Sequence, residues 1–183
     1  MKKTIYPIFL AVLALLISSF TFQTQEESSE WAKKVKWYTW EEAVKANAEH
    51  PKKFMVDIYT SWCGWCKVMD KKTFEKQNVA DYLNEHFYPV KLNAEQKEDI
   101  IFNNNTFKFH KQGRRGVHTL AYSLLEGRMS YPSIVFLNEK FERAMISPGF
   151  KEADEFLVEL EYINGEHYRT THINEFKATK QDK

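Results

Sequence analysis

The sequence predicts one α/β domain: a central mixed sheet flanked by helices, with a hairpin and helix inserted before its last hairpin. Three observations carry this expectation. The nearly continuous apolar run Phe54-Met55-Val56-Asp57-Ile58-Tyr59 reads as a strand buried on both faces, and it leads directly into a helical pattern. A second run, Phe87 to Leu92, follows another helical stretch, so the two strands should lie parallel across a βαβ crossover. Finally, Ser133 to Leu137 and Phe141 to Ile146 flank a turn at Asn138-Glu139, as in an antiparallel hairpin, and Ala153, Phe156, Leu157 and Leu160 then recur at helical spacing.

The remaining elements fall between these. Thr39 and Glu42 form a capping-box pattern ahead of Ala43, Val44 and Ala46, giving a first helix that ends before Pro51. Val68, Met69 and Phe74 continue the helix that starts at or near Cys63, and Asn78 is expected to cap the next one, over Val79, Tyr82 and Leu83. The segment 96–130 is legible only in part. In it, Ile100-Ile101-Phe102 and Thr106 to Phe109 suggest a small hairpin around Asn103-Asn104-Asn105, because Asn tolerates left-handed turns, and Leu120 to Leu125 look helical. The polar tail 164–183 either docks through a turn around Ile173 to Phe176 or is loose.

Composition narrows the classes. A chain of 183 residues supports one core, and 43% hydrophobic with 15% aromatic residues argues against general disorder. With 26 basic and 25 acidic residues the charge is balanced, so no nucleic acid partner is expected. Lys2 and Lys3 precede an apolar stretch from Ile5 to Ile17, which makes residues 1–25 a secretory signal pattern and 26–36 a polar linker. That stretch is shorter than the ~20 residues that span a bilayer, so no stable membrane insertion is expected after processing. A periplasmic or otherwise exported location follows as an expectation.

Only two cysteines are present, Cys63 and Cys66. A bridge between them would close so short a loop that it constrains little unfolded-state entropy, so stability is a poor reason for it. The pair could be half of a zinc site, but there is no third cysteine and no histidine at finger spacing, which favours redox chemistry and no metal or cofactor.

The run Val56-Asp57-Ile58-Tyr59-Thr60-Ser61-Trp62-Cys63-Gly64-Trp65-Cys66-Lys67 resembles the strand and active-site turn of the thioredoxin superfamily, including the acid inside the strand and the Trp before the first cysteine. Lys91-Leu92-Asn93 resembles the strand that follows, Tyr131-Pro132-Ser133 the cis-proline segment, and Gly149 the glycine after the hairpin. The resemblance extends over residues 37–163 and implies a thioredoxin fold acting in thiol–disulfide exchange. Three features depart from the pattern, and the first is length: residues 96–130 are longer than the connection of a minimal thioredoxin, which the resemblance marks as an insertion. Trp65 stands where the namesake branch has proline, so the direction of electron flow is not inherited. Arg115 to Leu120 imitates the segment before the cis-proline but has His118 at the proline position; Pro132 fits better, because the hairpin and Gly149 follow it.

The implied roles have physical reasons. A thiol of pKa near ~8.5 is mostly protonated at neutral pH, and a helix N-terminus stabilises its anion, which makes Cys63 the nucleophile. Cys66, one turn inward and expected to be more shielded, is the resolving thiol. Asp57, if burial raises its pKa, could accept the Cys66 proton; the alternative is a paired structural carboxylate. Lys91 either pairs with Asp57 or is merely a solvated strand-edge lysine. Trp62, Gly64, Trp65, Tyr131 and Pro132 are candidate substrate-binding residues, with Trp62 and Trp65 either forming an apolar rim or simply packing. A cis peptide before Pro132 would present backbone groups to an extended substrate. His110 and His118 read as surface or insertion-packing residues. The partners implied are disulfide-bearing proteins and an electron source such as a membrane thiol carrier, because no nucleotide-binding glycine motif is present. The direction expected is reductive; an oxidase or isomerase using the same pair, a binding module on the same fold and a copper-handling protein remain as alternatives.

Overall fold

The computed structural model describes residues 34–112 and 115–181; the signal pattern and most of the linker lie outside the described residues. A helix α1 (Trp40–Glu49) leads to strand β1 (Lys53–Tyr59) and then to α2 (Gly64–Met69), which runs on as one π-helical stretch, Asp70–Phe74. Next come α3 (Gln77–His86) and β2 (Phe87–Asn93). Two small hairpins follow, β3 (Ile100–Phe102) with β4 (Asn105–Phe107) and β5 (Phe109–Gln112) with β6 (Arg115–His118), and then the short α4 (Thr119–Leu124). The chain closes with β7 (Ser133–Leu137), β8 (Arg143–Pro148), α5 (Ala153–Asn164) and α6 (Ile173–Gln181).

The main sheet has the order β2-β1-β7-β8. Strands β1 and β2 are parallel with Asp57 opposite Lys91, whereas β7 runs antiparallel to both β1 and β8. Alternation along β1 divides the core. Phe54, Val56 and Ile58 face α1 and the insertion helix α4, in a cluster with Trp40, Tyr88 and Leu120. Met55, on the other face, joins Met69, Phe74, Leu83, Phe156 and Phe176 beneath α2, α3, α5 and α6. Asp57 has the parity of Met55, so its carboxylate lies on the α2 face.

Several expectations hold in detail. Thr39 and Glu42 make the reciprocal capping box that opens α1. Asn103 and Asn104 turn the first small hairpin with φ of 48° and 59°. Others are corrected. The cap of α3 is Lys76, which is extended, whereas Asn78 lies within the first turn and its side chain accepts from the Val79 N–H. Phe141 belongs to the turn at φ 65°, because Asn138 Oδ1 accepts the N–H groups of Lys140 and Glu142 and so delays β8 to Arg143. The insertion holds two hairpins where one was expected, the strand pattern breaking at Lys108. Val35 of the expected linker is buried in the core, and the Lys36 N–H donates to Asn84 Oδ1. The tail forms a full helix: Phe176 packs on Tyr162, and Lys177 bonds the buried Glu159, which also accepts from Ser147.

Candidate active site

The end of β1 carries the chain into a tight turn closed by the Cys63 N–H donating to the Thr60 carbonyl at 3.2 Å. Cys63 then occupies the N-cap of α2 in extended conformation, and its Sγ accepts the Cys66 N–H at 3.0 Å. A sulfur here does what a capping oxygen does elsewhere, satisfying an orphan amide of the first turn. That amide, together with the positive end of the helix, stabilises negative charge on Cys63. In the structure Cys63 and Cys66 are joined by a disulfide. Exposure does not distinguish them, at 5% and 4%, so the expected shielding of Cys66 is not what sets the two apart; the capping geometry is.

On the same face of β1 as α2 lies a charged cluster that reaches from the core to the surface. Asp57 is only 1% exposed, and Lys91 Nζ donates to its Oδ2 at 2.6 Å, while Oδ1 finds no partner among the described residues. Lys91 also donates to Asp70, at the end of α2. Its ammonium sits over the rings of Trp37, Tyr59 and Phe74, 4.6 to 5.3 Å from their centroids. Lys91 is therefore not the solvated edge residue. Burial raises the Asp57 pKa, against the pull of the Lys91 charge. Burial draws Lys91 down, but the two carboxylates more than offset it and hold it protonated. A cavity of about 280 Å³ lined by Trp37, Asp70, Phe74 and Lys91 opens this cluster outward.

The candidate rim residues divide between two flanks. Trp62 is 50% exposed; its ring meets Tyr131 edge-on at 5.8 Å, its indole N–H donates to Glu95 at 3.1 Å, and the Arg115 guanidinium lies 4.3 Å above it. Trp65, 62% exposed, leans on Phe150 on the opposite flank. Ser133 pairs with Ile58, so Pro132 lies at the end of β1 that leads to the cysteines, and the Tyr131–Pro132 peptide is cis. The Gly149 N–H donates to the Pro132 carbonyl at 2.8 Å from a φ of 84°, a conformation that suits glycine. A Cβ on Gly64 would meet nothing within 4 Å, so local packing does not require glycine there. Burial and the nearby Glu95 push the Tyr131 hydroxyl up to about 12.

His118 is fully buried: Nδ1 accepts the Leu120 N–H and Nε2 donates to the Glu98 carbonyl, which fixes a neutral ring whose pKa burial lowers. It anchors the insertion, while His110 is exposed. Asp70 and Trp37 were not singled out from the sequence. The signal for Asp70 was its spacing, one helical turn beyond Cys66 on the same helix; Trp37 gave none.

These features define a thioredoxin-fold protein with a cysteine pair at the head of its first post-strand helix. The chain belongs to the family described as Thioredox_DsbH, protein of unknown function, DUF255, whose model matches residues 21–145. An uncharacterized protein of Archaeoglobus fulgidus is 30% identical over 99 residues, 54% of this chain and 73% of its own length. Uncharacterized protein B0495.5 of Caenorhabditis elegans is 33% identical over 67 residues, covering 36% of this chain but 9% of that protein. Spermatogenesis-associated protein 20 of Rattus norvegicus is 30% identical over 67 residues, again 36% of this chain and 8% of its own length, so the chain spans under a tenth of either animal relative. Among solved structures, a DsbH oxidoreductase superposes with a TM-score of 0.52 at 16% identity, covering 75% of this chain and 90% of that one. A putative disulphide-isomerase from Bacteroides thetaiotaomicron does so at 0.50 with 26% identity, covering 70% and 89%.

Proposed function

We propose that this chain is an exported thiol–disulfide oxidoreductase that reduces disulfides in other exported proteins. The observation that carries the reading is the placement of Cys63 Sγ on the Cys66 amide at the head of α2, on the face of β1 that also carries the buried Asp57 with one oxygen unpartnered among the described residues. The 26% identity to a putative disulphide-isomerase supports the same class of chemistry. The apolar stretch after Lys2 and Lys3 supports export.

In the reducing cycle the Cys63 thiolate attacks a client disulfide, forming a Cys63–client mixed disulfide and releasing one client thiolate. Cys66 then passes its proton to the Asp57 carboxylate, and its thiolate attacks Cys63 Sγ. The second client sulfur leaves as a thiolate, so the client gains two electrons and the pair becomes the disulfide seen here. Lys91, shared with Asp70, positions Asp57 and gives its proton a charged path to the outer cavity. A dithiol partner, such as a membrane thiol carrier, returns the electrons.

Two measurements test this. A Cys66→Ala variant should accumulate mixed disulfides through Cys63, and iodoacetamide at pH 6 should alkylate reduced Cys63 far faster than a free thiol. Ordinary reactivity at Cys63 would remove the basis of the proposal. For direction, the expected potential lies near the reducing end, about −270 mV; a value near −120 mV would make the protein an oxidant.

A further inference from the structure

The insertion builds a groove that the exchange chemistry does not use. Two cavities of about 620 and 550 Å³ adjoin the redox turn and share Trp62, Glu95, Arg115 and Gly116 in their walls. One continues over Lys97, Phe109 and Lys111 of the insertion; the other runs to Tyr131, the residue before Pro132. A chain lying in both would therefore pass beside the Trp62 ring, next to Cys63.

The charge along this groove is mainly positive. Lys97, Lys111 and Arg115 are exposed, and none of their cationic heads pairs with a carboxylate among the described residues, although the Lys97 backbone N–H donates to the exposed Glu98. Lys97 and Arg115 instead lie over the rings of Phe109 and Trp62. The lining carboxylate, Glu95, is engaged by the Trp62 indole. The neighbouring acid Asp99 is paired with Lys108. With 26 basic and 25 acidic residues in the whole chain, this is a local concentration of positive charge.

We infer that the groove binds an acidic, extended segment flanking the reactive cysteine of the client, so that the insertion selects disulfides by the charge beside them. This rests on the exchange activity proposed above. Charge complementarity names the occupant, and the aromatic floor suits a peptide's apolar side chains as well as its carboxylates. A nucleic acid is the poorer fit, because its dense phosphate charge calls for a long basic track and this chain is close to neutral overall.

The test uses two disulfide-linked peptides that differ beside the cysteine, one carrying Asp and Glu and the other Asn and Gln at the same positions. With the reduced protein and a dithiol donor, kcat/KM should be roughly tenfold higher for the acidic peptide at low salt, as a few partly exposed ion pairs allow. That ratio should shrink toward one as ionic strength rises to about 0.5 M. It should also collapse in Lys97→Gln/Lys111→Gln/Arg115→Gln, and fall partway in Lys97→Gln/Lys111→Gln, which leaves Arg115 on Trp62. Equal rates for the two peptides in the unsubstituted protein, or a ratio that survives the triple substitution, would overturn the groove while leaving exchange intact. A single-stranded oligonucleotide that competes at lower concentration than the acidic peptide would also overturn it, by reassigning the groove. Failure to reduce either peptide, or an uncharged small disulfide, would overturn the exchange reading and this inference together.

Discussion

The charged floor on the α2 face of β1 and the insertion beside Trp62 are built on opposite principles. The floor ties β1, β2 and the end of α2 together through a buried carboxylate, Asp57, whose Lys91 partner reaches out to the half-exposed Asp70. The insertion keeps its cations at the surface and buries a neutral ring, His118, at its root. The two should therefore respond to pH in opposite directions. Burial raises the Asp57 pKa above its unfolded value, so its contribution to stability is complete in acid and is lost as pH rises through the folded pKa. Burial lowers His118 from 6.5, so its contribution is complete above that value and is lost as pH falls toward the folded pKa. In the proposed cycle proton transfer falls to the floor, whereas the insertion takes no part in it.

Substitutions can break or sharpen this contrast. The largest effect belongs to Cys63→Ser, which should reduce disulfide exchange to background in a dithiol-coupled assay while leaving the melting curve of the reduced protein nearly unchanged. Asp57→Asn comes next: with Cys66 intact, resolution of the Cys63–client mixed disulfide should slow by roughly a hundredfold, the scale of a lost proton acceptor. The same variant should be more stable than the unsubstituted protein at pH 8, and this gain should shrink as pH falls toward the ordinary carboxylate range, read from urea melts. A loss of stability at pH 8 that vanishes in acid would mean that Asp57 is an ordinary paired carboxylate. His118→Ala should cost about 2 kcal/mol at pH 7.5 by leaving the Glu98 carbonyl and the Leu120 amide unpaired, and it should flatten the loss of stability below pH 6.5. If it also changes the alkylation rate of Cys63, the two regions are coupled.

Smaller effects test the insertion alone. In Gly116→Ala the new Cβ would collide with the Phe109 ring and stand 2.6 Å from the His110 carbonyl. Amide exchange should then accelerate in β5 and β6, with less than about 1 kcal/mol lost globally, because these strands form a separate sheet. Smallest of all, Trp65→Ala should shift stability by no more than about 0.5 kcal/mol, as expected for a largely exposed side chain.

Residues close in sequence were the legible ones. The strand into Tyr59, the cysteines and the start of α2 are consecutive, so periodicity and spacing alone placed them. The β7–β8 hairpin was readable for the same reason, although Asn138 folds back on Glu142 and lengthens its turn in a way no dipeptide signal shows. The second hairpin of the insertion was not readable, since its strands, Phe109–Gln112 and Arg115–His118, are mostly polar and show no alternating apolar face.

The sequence by itself determined which atoms the proposed chemistry uses: two sulfurs three positions apart after a buried strand, with an acid in that strand. Only the tertiary structure decided how that acid is held. Lys91 lies 34 positions from Asp57 and 21 from Asp70, and Trp37 reaches it from before α1. Local preference fixes the run of a helix or strand, but a buried charge is stabilised by whatever the folded chain brings within a few ångströms. Sequence distance carries no information about those neighbours, which is why the Trp37 ring over Lys91 and the cationic groove emerged only once the chain was folded.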